Sequence, residues 1–177
     1  MRSRGQGEGG CRSARGFTLI ELMVTVAVMA IVAAIAAPAM QGIVRANRLA
    51  ATSTEVITAL QLARTEAVRR NARVMVCASA DGQACSASTT WTRWIVLGRD
   101  NVSGADTVIR DSEVTGDMQV SGPAAGIRFR PSGLLDAQQV VSVCIPTDNP
   151  ANNTRTVTMM ASGGVVTTKA NGGGACG

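Results

Sequence analysis

Residues 17–40 read FTLIELMVTVAVMAIVAAIAAPAM, and this stretch decides the fold. Between Leu22 and Met40 the only side chain with a polar group is Thr25. As a helix rising 1.5 Å per residue, such a run is long enough to cross a hydrocarbon layer of about 30 Å. It is apolar on all sides rather than along one stripe, so it calls for lipid or complete burial. Arg2, Arg4, Arg12 and Arg15 precede it against the single acid Glu8, while only Arg45 and Arg48 follow closely. That imbalance predicts a cytoplasmic N-terminus and export of the remainder. A secretory signal peptide is the competing reading, with the alanines of 33–39 as its cleavage region. Glu21 argues against it, because an ordinary signal core avoids a carboxylate so early in the apolar run.

Beyond the run a second helical pattern begins. Leu49, Ser53, Val56, Leu60, Ala63 and Ala67 recur at steps of three and four, with Ile57 and Val68 widening the stripe. Arg48, Thr52, Glu55, Thr58, Arg69 and Arg70 fall mainly outside it, and Asn71 suits a C-cap. The pattern predicts one helix from about residue 17 to about residue 70, lipid-compatible first and amphipathic afterwards. Pro38 and Gly42 predict a kink within it.

From Arg73 onward short β segments take over: RVMVC at 73–77, WIVL at 94–97, TVIR at 107–110 and IRFR at 127–130, then QVVSVC at 139–144, RTVTMMA at 155–161 and GVVTT at 164–168. Turn residues such as Asp81-Gly82, Ser103-Gly104 and Pro131-Ser132-Gly133 separate them. Strands at steady spacing, with no helices between them, predict an antiparallel sheet packed on the apolar stripe of the helix. The expected fold is therefore α+β, a long N-terminal helix on a small β head.

Composition narrows the chemistry. The 177 residues include no His and no Tyr, and Lys169 is the only lysine. Without His the commonest general base and metal ligand are missing. No Gly-rich phosphate loop followed by Lys and Ser/Thr is present. An enzyme is therefore a poor reading, and neither metal nor cofactor is expected. The formal charge of +5 is weighted toward the first sixteen residues, so it says little about nucleic acid. Cys11 stands apart from Cys77, Cys85, Cys144 and Cys176, which in an exported domain read as two disulfides with three possible pairings. The favoured pairing is Cys77–Cys85, across the turn at Asp81-Gly82, with Cys144–Cys176 fastening the Gly-rich tail.

The junction Arg15-Gly16-Phe17-Thr18-Leu19-Ile20-Glu21 resembles the processing site of type IV prepilins and type II secretion pseudopilins. The resemblance implies cleavage between Gly16 and Phe17 by prepilin peptidase and methylation of the new Phe17 amine. It also implies that Glu21 attracts the amine of a neighbouring subunit during filament assembly. A glycine before the cut lets a protease cleft approach the backbone closely. Glu21 reaching back to N–H groups of its own first helical turn is the local alternative. The implied layout is a leader at 1–16, a transmembrane assembly helix at 17–40 and a periplasmic head at 41–177. The implied setting is the inner membrane and then a filament, with other pilins or pseudopilins as partners.

The stretches LQLARTEAVRRNARVMVCASADGQAC, WTRWIVLGRDN and IRFRPSGLLD are similar to minor pilins of the FimT/FimU and GspH group. Members of that group implicated in DNA uptake carry Gly-Arg-x-Arg near the C-terminus. The corresponding residues here are Ala161-Ser162-Gly163-Gly164-Val165-Val166, without either arginine. Weak or absent DNA binding is expected, with Arg128 and Arg130, alternating along one strand face, as the candidate contacts. The cluster Arg69, Arg70 and Arg73 at the helix end is a second basic site, and Trp91 and Trp94 are either base-stacking or core residues.

Overall fold

The computed structural model describes residues 16–176, except for the side chains of Pro38 and Ala39. The leader up to Arg15, including Cys11, lies outside the described residues. The chain divides into two units, one ending at Ala39 and one running from Met40 to Gly177.

Helix α1 spans Leu19–Arg70, with Pro38 and Gly42 inside its bounds. Thr18 caps its start, its Oγ1 accepting the N–H of Glu21 at 3.3 Å. The other end closes on Asn71, whose φ of 48° is left-handed. The Asn71 N–H donates to the Val68 carbonyl and the Ala72 N–H to the Ala67 carbonyl, both at 3.2 Å. These two bonds make a Schellman turn, with Asn71 in the position that glycine more often occupies. Asn101 completes the closure, donating from Nδ2 to the carbonyls of Arg70 and Asn71.

Among the described residues eight strands follow: β1 (Val74–Ala78), β2 (Arg93–Arg99), β3 (Asp106–Glu113), β4 (Gln119–Ser121), β5 (Ile127–Phe129), β6 (Gln139–Cys144), β7 (Thr154–Met159) and β8 (Val165–Ala170). They form two antiparallel sheets, ordered β3-β2-β1-β5 and β4-β6-β7-β8. One core joins the amphipathic stripe of α1 (Leu49, Val56, Leu60, Ala63 and Ala67) to inward residues of both sheets. Val74, Val76 and Val96 come from the first sheet, and Val141, Val143, Val157 and Met159 from the second. Period-two alternation is cleanest in β7, where Arg155, Val157 and Met159 turn inward between threonines.

The structure differs from the sequence reading at three places. Val68 is exposed, and Ala59 is buried in the core instead. Val68 lies one residue on from Ala67, about 100° around the helix, which carries it off the sheet-facing stripe. Strand β4 has no counterpart in the sequence reading: with three residues and a single buried side chain, Val120, it is too short to show alternation. Arg130 falls just beyond β5, so it does not share a strand face with Arg128.

Candidate functional site

The N-terminal segment presents its residues to the outside. Beyond its chain neighbours, none of the described residues lies within 4 Å of where a Cβ on Gly16 would be. Phe17, Leu19, Ile20, Leu22, Met23, Val24, Val26, Val28, Met29, Ile31, Val32 and Ile35 are all exposed. Helix α1 contains an 18-residue window of mean hydropathy 2.6, none of it buried within the chain. Its length and composition suit a membrane span. Glu21 sits in the first turn of α1, exposed, and among the described residues its carboxylate has no hydrogen-bond or ion-pair partner. The Thr18-x-x-Glu21 spacing is that of a capping box, but only the Thr18 half of the exchange is made.

In the head, Cys77 is bonded to Cys85 and Cys144 to Cys176. The first bridge spans a turn organised by Asp81, whose Oδ1 accepts the N–H groups of Gln83 and Ala84 at 2.8 and 3.0 Å. Those two backbone donors hold the Asp81 carboxyl below its usual range. The second bridge pins the tail beside buried Asn153. Asn153 Nδ2 donates to the carbonyls of Ile145 and Ala175, while its Oδ1 accepts the Gly172 N–H at 2.7 Å.

The loop between Cys144 and Asn153 also meets the helix. Gly42 is buried against the Asn149 side chain, and a Cβ there would overlap the Asn149 amide. Arg45 Nη1 donates to Thr147 Oγ1 at 3.2 Å. Gly42 thus has a packing role that its sequence context, read as a helix interruption, did not disclose.

The residues considered for nucleic acid separate. Trp91 and Trp94 are fully buried, 0% and 1% exposed, and offer no face to a base. Both rings belong to the core, and among the described residues neither indole N–H has a hydrogen-bond partner. Arg69 and Arg70 both bind Glu66, each with a nitrogen 2.7 Å from Oε2. Arg130 is ion-paired with Asp136. Arg128 is exposed on β5 and lines a concavity together with Arg73 and Arg99. Arg99 was not singled out in the sequence, because only strand pairing brings it beside Arg73.

The β7–β8 turn, where the arginine motif of DNA-uptake pilins would fall, is served by a different arginine. Arg64, on α1, donates to the carbonyls of Gly163 and Ser162 at 2.8 and 3.4 Å. Gly163 has a φ of +85°, and a Cβ on it would overlap the Arg64 guanidinium. This guanidinium holds the turn to the helix, and these two bonds use part of its capacity to bind phosphate.

Residues 52–163 match the family model of the type II transport protein GspH, and residues 11–37 match the prokaryotic N-terminal methylation motif. Among solved structures, the Pseudomonas aeruginosa type IV minor pilin FimU superposes with a TM-score of 0.53 at 18% identity. That superposition covers 69% of this chain and 89% of FimU. The minor pseudopilin EpsH of the Vibrio cholerae type 2 secretion system gives 0.52 at 14% identity, covering 69% of this chain and 97% of EpsH. Among curated proteins no sequence match to the chain is found. With its methylation motif, apolar α1 and two-sheet head, the chain belongs to the GspH family of minor pilins and pseudopilins.

Proposed function

We propose that the chain is a structural subunit of a type IV filament, a pilus or a secretion pseudopilus, rather than an enzyme. It enters the inner membrane through residues 17–40, with the leader in the cytoplasm and the head in the periplasm. Prepilin peptidase cleaves between Gly16 and Phe17, and the new Phe17 amine is methylated. Glu21 then pairs with the corresponding amine of an adjacent subunit, and Pro38 and Gly42 mark where α1 bends.

The observation that carries this reading is the state of Glu21. A carboxylate in a membrane-suited helix is costly without a partner, and within the described chain Glu21 has none. A second subunit's amine satisfies it and gives assembly its polarity. Mass analysis of the membrane-extracted N-terminus tests the processing step. Methylated Phe17 is the expected first residue, and a start near residue 39 or 40 would mean signal-peptide cleavage and end the proposal. Glu21→Ala should insert in the membrane as well as the parent yet enter filaments poorly. Equal incorporation would contradict the pairing.

A further inference from the structure

Head arginines fall into three groups. Arg69, Arg70, Arg93, Arg110 and Arg130 face carboxylates. Arg45, Arg64 and Arg155 donate to hydroxyl or carbonyl oxygens of loops and turns. Arg48, Arg73, Arg99 and Arg128 have no side-chain partner among the described residues; Arg48 lines a separate hollow with Glu55, whereas the other three line one cavity of about 640 Å³. An unpaired arginine is ordinary on a surface; three lining the same hollow concentrate positive charge there.

Strand register explains how they meet. Met75 on β1 is directly opposite Leu97 on β2 and Arg128 on β5, so these side chains share one face, about 4.8 Å apart strand to strand. Arg99 stands two residues beyond Leu97 on that face and is paired with Asp106 of β3. The Arg99 N–H donates to the Arg73 carbonyl at 3.1 Å, which brings Arg73 alongside. Val74, Val76 and Val96 are buried on the opposite face, in the core. The outer face of the first sheet is therefore a half-buried apolar strip, Met75 and Leu97, bordered by three free guanidinium groups. Asn71 and Asn101 close the hollow at the end of α1.

We infer that this hollow is a docking site for an acidic segment of a partner protein, an extended stretch in which carboxylates alternate with apolar side chains. Each carboxylate is matched by a guanidinium, which binds it through paired N–H donors. Apolar side chains between them cover Met75 and Leu97. A nucleic acid fits the same surface less well. It gains nothing from the apolar strip, and a continuous polyanion must pass Asp106 on the lining and Asp136 beside Arg130. The residues involved all belong to the head, so the inference is independent of the role of Glu21.

The test uses the full chain in neutral detergent at about 150 mM salt. Its probe is a fluorescent peptide alternating aspartate with leucine, set against the same peptide with asparagine for aspartate and against a short DNA duplex. The expected result is saturable binding of the aspartate peptide alone. Arg99→Gln and Arg128→Gln should each weaken it about tenfold, the loss of one charge-assisted contact. Arg130→Gln, whose charge is already met by Asp136, should change it by less than about twofold on the same scale. Since these side chains are exposed, unchanged thermal unfolding should accompany each substitution. Failure of the aspartate peptide to bind, equal binding of the asparagine peptide, or insensitivity to Arg99→Gln and Arg128→Gln would overturn the inference. So would tighter binding of the duplex through the same arginines, which would make the surface a nucleic-acid site.

Discussion

The two halves of α1 share one backbone and differ in what completes them. Before Ala39 large apolar side chains point outward in every direction, and nothing among the described residues covers them. After Met40 apolar residues collect on one stripe, which both sheets bury. Each half also carries a carboxylate that tells the same story. Among the described residues Glu21 has no partner, whereas Glu66 is held by Arg69 and Arg70. A helix can therefore be covered by its own fold in one part and left exposed in another. The sequence separates the two by replacing all-round hydrophobicity with a period near 3.6.

The sharpest way to break this comparison is to shorten one leucine in each half. Leu60 is fully buried, and Leu60→Ala should lower head stability by about 4 kcal/mol, from lost transfer energy and the cavity left behind. Leu22 touches no core, and Leu22→Ala should leave head stability within about 0.5 kcal/mol of the parent. Fluorescence of Trp91 and Trp94, both buried in the head, reports unfolding in denaturant. Similar losses from both substitutions would show that the halves are not energetically separate.

The covalent frame offers the next test, because it bears on where the second half begins. The loop that meets Gly42 and Arg45 starts at Cys144, which is bonded to Cys176 across 32 residues. Replacing both cysteines by serine should cost about 3 kcal/mol. It should also raise amide hydrogen exchange around Gly42–Arg45 more than at Leu60–Ala67. Loss confined to the C-terminal tail, with exchange at Gly42 unchanged, would mean that the loop holds the helix without the bridge.

Much of this organisation is legible in the sequence because it depends on local pattern. The all-apolar run, the stripe from Leu49 to Ala67 and the strands rich in Val and Thr need only neighbouring residues to be recognised. What escaped depends on partners distant in the chain. Arg64 reads as one more polar helix residue until β7 and β8 bring Gly163 beneath it. Gly42 reads as a helix interruption until Asn149 arrives against it. Arg99 reads as a turn residue until pairing sets it beside Arg73. Thr18 is the exception: its cap depends on the local spacing Thr18-x-x-Glu21 alone.

The smallest expected effect concerns the second glutamate. Hydrogen bonds from Arg69 and then Arg70 pull the Glu66 pKa down to about 2 from a reference value of 4.5. A carboxyl lowered on folding stabilises the head at pH values above its unfolded pKa. The contribution fades as pH falls through the interval between the two values and is gone below about 2. Glu66→Gln keeps the side chain's shape and removes the charge, so at neutral pH it should cost about 1 kcal/mol, the scale of a charged hydrogen-bond pair near the surface. Near pH 2 the parent has lost the same contribution, and the two proteins should converge. Urea denaturation from neutral pH down to that limit, followed by tryptophan fluorescence, measures the gap directly. A gap that stays constant with pH would mean that Gln fails for reasons of packing, and that the two arginines give Glu66 no more than the solvent would. In that case the contrast with Glu21 would lose its energetic half.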